Sequence, residues 1–168
     1  MAHVLDAGAE APAATQTASR TARPAYQAYV ILHVGFAVLP LLGRILLSQI
    51  FLISGVMKLV DWPGTEAKMA EQGMFWIPFF HVAALLTELA GGLSLFLGFK
   101  ARLGALLLFL FLIPVTLTFH SFWTYTDPKE QHVNMLFFMH NLTLMGGLLL
   151  VMTIGPGPKS VDLWRRSS

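Results

Sequence analysis

Four apolar stretches dominate this chain: Leu41–Val60, Pro78–Gly98, Leu103–Phe122 and Met135–Ile154. Each runs to about 20 residues, and a helix of that length covers the ~30 Å hydrocarbon layer of a bilayer. Only Arg44, Lys58 and Glu88 carry formal charge inside them. A charge at such depth is costly and persists where it is paired, solvated or used. In lipid each spanning backbone must satisfy its own hydrogen bonds, so every stretch has to be helical. The expected fold is all-α, a four-transmembrane-helix bundle whose function resides with its few buried polar groups.

The balance of the sequence agrees. Hydrophobic residues make up 55% of the 168 and charged residues 12%, against ~25% charged in soluble domains. The net charge of +2 is too small to suggest a nucleic-acid partner; the lipid bilayer is the partner that composition implies. Absence of cysteine excludes disulfides and thiolate chemistry by this chain. Basic residues fall unevenly: Arg20 and Arg23 precede the first stretch, Lys100 and Arg102 separate the second and third, and Lys159, Arg165 and Arg166 follow the fourth. Positive charge marks the cytoplasmic side, which places both termini inside and the loops Asp61–Ile77 and Trp123–Asn134 outside.

Residues 1–24, rich in Ala, Thr and Pro, read as a flexible cytoplasmic tail without the features of a cleavable signal peptide. Residues 25–40 read as an extra N-terminal helix, interfacial or re-entrant, because a run ending before Pro40 is short for a crossing. A fifth crossing and disorder are the alternatives there. Residues 41–158 form the four-helix membrane domain and 159–168 a cytoplasmic tail. Pro63 and Gly64 stop the first span, and Thr65–Gly73 is expected to form a short helix over the outer mouth.

Helical spacing groups Arg44, Ser48, Phe51, Gly55 and Lys58 on one face of the first span, and His81, Ala84, Glu88, Gly91 and Leu95 on one face of the second. It groups Phe109, Ile113, Thr116, His120 and Trp123 in the third, and Asn134, Phe138, Asn141, Met145 and Leu148 in the fourth. At 1.5 Å per residue, Glu88 lies roughly 15 Å below Pro78, near mid-membrane, and Arg44 about 24 Å below the outer end of its span. The stripes predict an outward-opening polar pocket with Glu88 at its floor, ringed by Lys58, His120, Asn134 and Asn141 and walled by Phe51, Phe109 and Phe138. Glu88 has no route to water, so it is protonated or paired with Arg44 or Lys58; an Arg44–Glu88 pair would be a structural clamp. Lys58 and Arg44 are long enough to snorkel to headgroups, and Asn141 suits a helix–helix hydrogen bond as well as a ligand contact. His120, His132 and His140 lack a tight ligand spacing, so no metal site is expected. Catalytic residues cannot be named: there is no nucleotide loop, nucleophile motif or haem-type histidine pair.

The runs Leu42-Gly43-Arg44-Ile45-Leu46-Leu47 and Phe51-Leu52-Ile53-Ser54-Gly55-Val56-Met57-Lys58-Leu59 resemble the first helix of the DoxX family. Glu88-Leu89-Ala90-Gly91-Gly92-Leu93-Ser94-Leu95-Phe96-Leu97-Gly98 with Arg102, His120-Ser121-Phe122-Trp123, and Asn141-Leu142-Thr143-Leu144-Met145-Gly146-Gly147-Leu148-Leu149 continue the likeness in order, as do Gly155-Pro156-Gly157 and Ser160-Val161-Asp162. The resemblance implies a four-helix protein of prokaryotic inner membranes. Its namesakes are linked to quinone-coupled sulfur oxidation and terminal-oxidase complexes, and other members to membrane-bound oxidoreductase assemblies. Two expectations follow from it. One is a redox-linked subunit whose outward pocket takes a quinone, with no intrinsic cofactor. The other is a non-catalytic accessory or scaffold subunit that docks onto other membrane-protein subunits.

Overall fold

The structure, a computed structural model, describes residues 13–167, with side-chain surroundings from residue 37 to 165. Six α-helices follow one another among the described residues: α1 (Ala13–Val60), α2 (Trp62–Glu71), α3 (Ile77–Leu97), α4 (Ala101–Phe119), α5 (Pro128–Ile154) and α6 (Val161–Ser167), with a 3₁₀ turn at Phe122–Thr124 before α5. Ala37–Val60, Ile77–Leu97, Ala101–Thr124 and Pro128–Ile154 are each long and apolar enough to cross a membrane. All four lie within the compact unit Ala37–Ser168; Met1–Phe36 forms a separate unit.

The N-terminal boundary differs from expectation. Helix α1 does not break before Pro40 but runs through it to Val60, and the membrane unit begins at Ala37. A proline inside a spanning helix is tolerated where neighbouring groups re-satisfy the backbone, and Pro40 packs close to Gly157. The interfacial or re-entrant reading of residues 25–40 depends on side chains before residue 37, which lie outside the described residues. Of the stretch read as a flexible tail, residues 1–12 lie outside them too, and helix is assigned from Ala13.

Local chemistry sets the other boundaries. Pro63 and Gly64 do not only follow the end of α1; they open α2. Asp61 is the N-cap, its carboxylate accepting the Gly64 N–H at 3.1 Å, and Pro63 fills a first-turn position where no N–H is needed. Helix α5 likewise starts at Pro128 under the Asp127 cap, which accepts Glu130 N–H at 3.0 Å, so Asn134 sits in the helix and not in the preceding loop. Helix α3 ends in a left-handed Gly98 (φ 67°), with Gly98 N–H bonded to Leu95 O at 3.1 Å and Phe99 N–H to Ser94 O at 3.0 Å. That double bond pattern satisfies the last carbonyls and reverses the chain tightly into α4.

Small residues bring the helices together, as membrane packing requires. A Cβ on Gly91 would strike Leu108 of α4, one on Gly104 would strike Ser94 of α3, and one on Gly55 would strike Leu89 of α3. The faces of α1 and α3 that are buried are the polar stripes: Arg44, Ser48, Phe51 and Gly55, and His81, Ala84, Glu88, Gly91 and Leu95. Helix α4 is turned differently from expectation. It buries Ala101, Ala105, Leu108, Leu112 and Thr116 and exposes Ile113, and Trp123 is exposed in the 3₁₀ turn beyond its end. Its contact is set by fitting Leu108 over Gly91, a constraint that apolar periodicity does not reveal in a helix apolar all round.

The segment after α5 folds back onto the bundle. Arg44, only 2% exposed, donates to Leu95 O at 3.3 Å and Lys159 O at 3.0 Å. Asp162 N–H bonds Gly98 O at 3.0 Å, while its carboxylate caps α4 through Lys100 N–H at 2.7 Å and Ala101 N–H at 3.1 Å. Residues 159–162 therefore pack against the membrane unit.

If Gly91 exists to admit Leu108, Gly91→Ala should lower stability by about 1–3 kcal/mol through overpacking. Pairing it with Leu108→Ala should lower stability less than the two single losses added together. Thermal unfolding in detergent measures this, and simple additivity would remove the argument for a close α3–α4 fit.

Candidate functional site

Glu88, 5% exposed, lies in the middle of α3. Lys58 from the last turn of α1 reaches it, with Nζ 2.9 Å from Oε1 and 2.8 Å from Oε2. Ser54, one turn before Lys58, donates to Glu88 Oε1 at 3.0 Å and accepts from Lys58 Nζ at 2.7 Å. Three polar groups thus meet in a closed triangle around Glu88 Oε1, while Oε2 is met by the Lys58 charge without a hydrogen bond. The expected Arg44–Glu88 pair is not formed. Arg44 stands 14 positions before Lys58, about 21 Å along the helix, and is spent on the Leu95 and Lys159 carbonyls. Lys58 does not snorkel outward; it turns in to the carboxylate.

A cavity of about 410 Å³ opens beside this triangle, lined by Lys58, Glu88, His120 and Asn141 among others. Of the residues expected to ring a pocket, only Asn134 is not part of its wall. Its amide oxygen is 3.4 Å from His120 Nδ1 and its nitrogen donates to Glu130 O at 3.0 Å, so it supports His120 from behind. Asn141 of α5 donates to Thr116 Oγ1 of α4 at 3.0 Å, tying two helices while also facing the cavity. The aromatic walls are Phe51, Phe111 and Phe119. Phe109 instead packs against the apolar core, and Phe138 meets the rings of Phe122 and Trp123 at 5.5 and 5.8 Å.

Helix α2 covers the cavity from one end of the bundle, contributing Thr65, Lys68 and Met69 to its wall. A half-buried aromatic contact holds α2 to α3. The Trp62 ring lies 3.9 Å from that of His81, and Trp62 Nε1 donates to Glu66 Oε1 at 2.9 Å. Glu66 Oε1 is 3.6 Å from His81 Nδ1, and His81 Nε2 is 3.3 Å from Lys58 O. His81, fully buried, therefore braces the helix end that carries Lys58. Ser54 is not among the expected pocket residues; its position four residues before Lys58 is the signal that places it beside that side chain. Phe111 and Phe119 gave none, being apolar residues among apolar residues.

This arrangement presents donors and a carboxylate at the bottom of a partly apolar recess, a combination suited to orienting one small polar head. Among the described residues no three His, Asp or Glu side chains converge as metal ligands.

Breaking a buried ion pair at one side strands the other charge, at a cost of about 3–5 kcal/mol. Glu88→Leu and Lys58→Met should each destabilise the bundle on that scale, and the double variant should recover much of the loss. A double-mutant cycle by thermal unfolding checks this; a coupling near zero would mean that the pair is not buried as described.

Comparison with known proteins places the chain. The DoxX family model matches residues 39–121, a segment containing Arg44, Lys58, Glu88 and His120. The inner membrane protein YqjF of Escherichia coli (strain K12) is 36% identical over 124 residues, covering 73% of this chain and 88% of YqjF. The inner membrane protein YphA of the same organism is 30% identical over 125 residues, covering 74% of this chain and 89% of YphA. A shorter likeness, 32% over 78 residues, relates 46% of this chain to 25% of the ER-derived vesicles protein ERV29 of Saccharomyces cerevisiae (strain ATCC 204508 / S288c). No solved structure matches. With its four spanning helices and its relatives among inner membrane proteins, the chain is a multi-pass membrane protein that belongs to the DoxX family.

Proposed function

We propose that this protein is a subunit of a redox-linked system of the prokaryotic inner membrane, and that its cavity takes the polar head of a quinone. The observation that carries this reading is a junction of two cavities. The polar one at Lys58 and Glu88 shares Met69, Ala84, Phe111, Val115 and Phe119 with a second of about 320 Å³, whose lining is almost wholly apolar. A head with carbonyl acceptors suits the first, where Lys58, His120 and Asn141 supply donors. An isoprenoid tail suits the second, which lies between α3 and α4. When bound, a quinone would supply two-electron redox chemistry; the chain's part is to bind and orient it, with Glu88 and His120 as groups able to hold a proton. The excess of Lys and Arg on the α6 side supports cytoplasmic placement of both ends, with the cavity opening outward.

One observation favours a second reading. Lys58, Ser54 and Glu88 already engage one another, as a purely structural clamp in an accessory subunit would require. Such a subunit would serve other membrane proteins as a scaffold and bind no small molecule.

Titration with a short-chain quinone separates the two, because Trp62 beside the cavity provides a fluorescence signal. The redox reading expects saturable quenching by the wild type. It expects Kd raised about 10–100-fold in Glu88→Gln, the range for losing a hydrogen bond involving a charged group, and about 2–10-fold in His120→Ala, the range for a neutral one. Phe138→Ala, outside the cavity, should bind as the wild type does. Unchanged affinity in Glu88→Gln, or no saturable binding at all, would leave the scaffold reading.

A further inference from the structure

At the α6 end, opposite the candidate site, lies a second large cavity of about 650 Å³, between the start of α4, the end of α5 and α6. Its lining combines the cations Lys100 and Arg102 with the aliphatic side chains of Leu103, Ile154 and Leu163. The quinone reading makes no use of it. Its depth follows from the helices that form it. Helix α4 begins at Ala101 and α5 ends at Ile154, and both span the membrane, so the cavity stands where hydrocarbon gives way to headgroups. Leu103 and Ile154 are 60% and 76% exposed; at that level they face acyl chains.

The charges are distributed so that the cations are available and the carboxylate is not. Asp162 is committed to the N-terminus of α4 through the Lys100 and Ala101 N–H groups, where the helix dipole offsets its charge. Arg102 spends one Nη2 donor on Thr153 O at 3.3 Å, and a guanidinium has five N–H donors in all. Gly155, at φ 94°, keeps the chain clear of that guanidinium, which a Cβ there would approach to 3.3 Å. The Lys100 ammonium makes only a 5.8 Å contact with the Phe99 ring, over which Arg165 also sits at 5.2 Å. Two cations, Lys100 and Arg102, therefore line a recess whose wall also holds the aliphatic Leu103, Ile154 and Leu163 and the already committed Asp162, with Arg165 nearby over Phe99.

We infer that this cavity is a binding site for an anionic phospholipid. Arg102 and Lys100 hold the phosphate, the kind of oxyanion that guanidinium and ammonium groups bind by charge-assisted hydrogen bonds. Leu103 and Ile154 carry the first part of an acyl chain. A basic pocket beside spanning helices at headgroup level has the chemistry to select anionic lipids. Bound there, the lipid would link α4, α5 and α6 at the end of the bundle that Arg44 also fastens.

The full chain in detergent, mixed with equal amounts of phosphatidylglycerol and phosphatidylcholine, tests this by native mass spectrometry. The wild type should retain phosphatidylglycerol preferentially. One cation near an anionic headgroup is worth about fivefold, so Lys100→Gln should reduce the preference about fivefold, and Lys100→Gln/Arg102→Gln should abolish it. Lys68→Gln, at the α2 end, should leave it unchanged. Lys100→Gln alters a side chain without a hydrogen bond among the described residues, so it tests the site even if changing Arg102 disturbs folding. Equal retention of the two lipids, or an undiminished preference in Lys100→Gln, would overturn the assignment. Complete displacement of phosphatidylglycerol by millimolar inorganic phosphate would also overturn it, revealing a site for a free anion.

Discussion

The ion pair between Lys58 and Glu88 governs how this bundle is built. A carboxylate in the middle of a spanning helix cannot stay charged in hydrocarbon without a partner, and the partner must come from a neighbouring helix. Lys58 at the end of α1 and Glu88 within α3 therefore fix the rotation of both helices and their relative depth. Ser54 completes the coordination from α1. Gly55, one position further, lets the backbones come close enough for the pair to form, since a Cβ there would collide with Leu89. Charge, hydroxyl and glycine form one device, and the cavity at its side follows from the volume that this geometry leaves beneath α2.

The two ends of the bundle solve different problems. At the α6 end the buried polar groups are consumed internally, Arg44 on two carbonyls, Asp162 on the first N–H groups of α4 and Ser160 on the Gly157 carbonyl at 2.9 Å, which leaves the exposed Lys100 and Arg102 to face the recess there. The result is a closed fastening of α1, α3, α4 and the final segment. At the α2 end the polar groups face a recess, and only a ten-residue helix held by the Trp62–His81 contact covers it. An end of this second kind, with few backbone connections to its cover, is where a ligand can be admitted without unfolding the remainder.

The sequence made the helical architecture legible because the bilayer forces it: long apolar runs have no other way to satisfy their backbones. The inward faces of α1 and α3 were equally plain, because Arg44, Lys58, His81 and Glu88 stand out against an apolar background. The same reasoning misjudged α4, where apolar residues cover every face and only the fit of Leu108 onto Gly91 decides the rotation. It left Arg44 and Lys58 both open as partners of Glu88, since composition shows which charges need partners but not which one lies within reach; the structure selects Lys58. Helix starts at Pro63 and Pro128 were hidden for a different reason. Proline followed by polar residues reads as a turn, yet an aspartate one residue before it (Asp127) or two (Asp61) is a cap, and the combination opens a helix.

Because the chain has no native cysteine, single thiols can report directly on whether the recess holds water. Val115 and Leu117 lie two positions apart on α4, within about 3 Å of the same depth; Val115 lines the cavity, whereas Leu117 is exposed on the outer surface of the bundle. In membranes, a hydrophilic methanethiosulfonate reagent should modify Val115→Cys and spare Leu117→Cys. Modification of Leu117→Cys with protection of Val115→Cys would mean that α4 turns its other face inward, and the water-filled recess beside Glu88 would not exist.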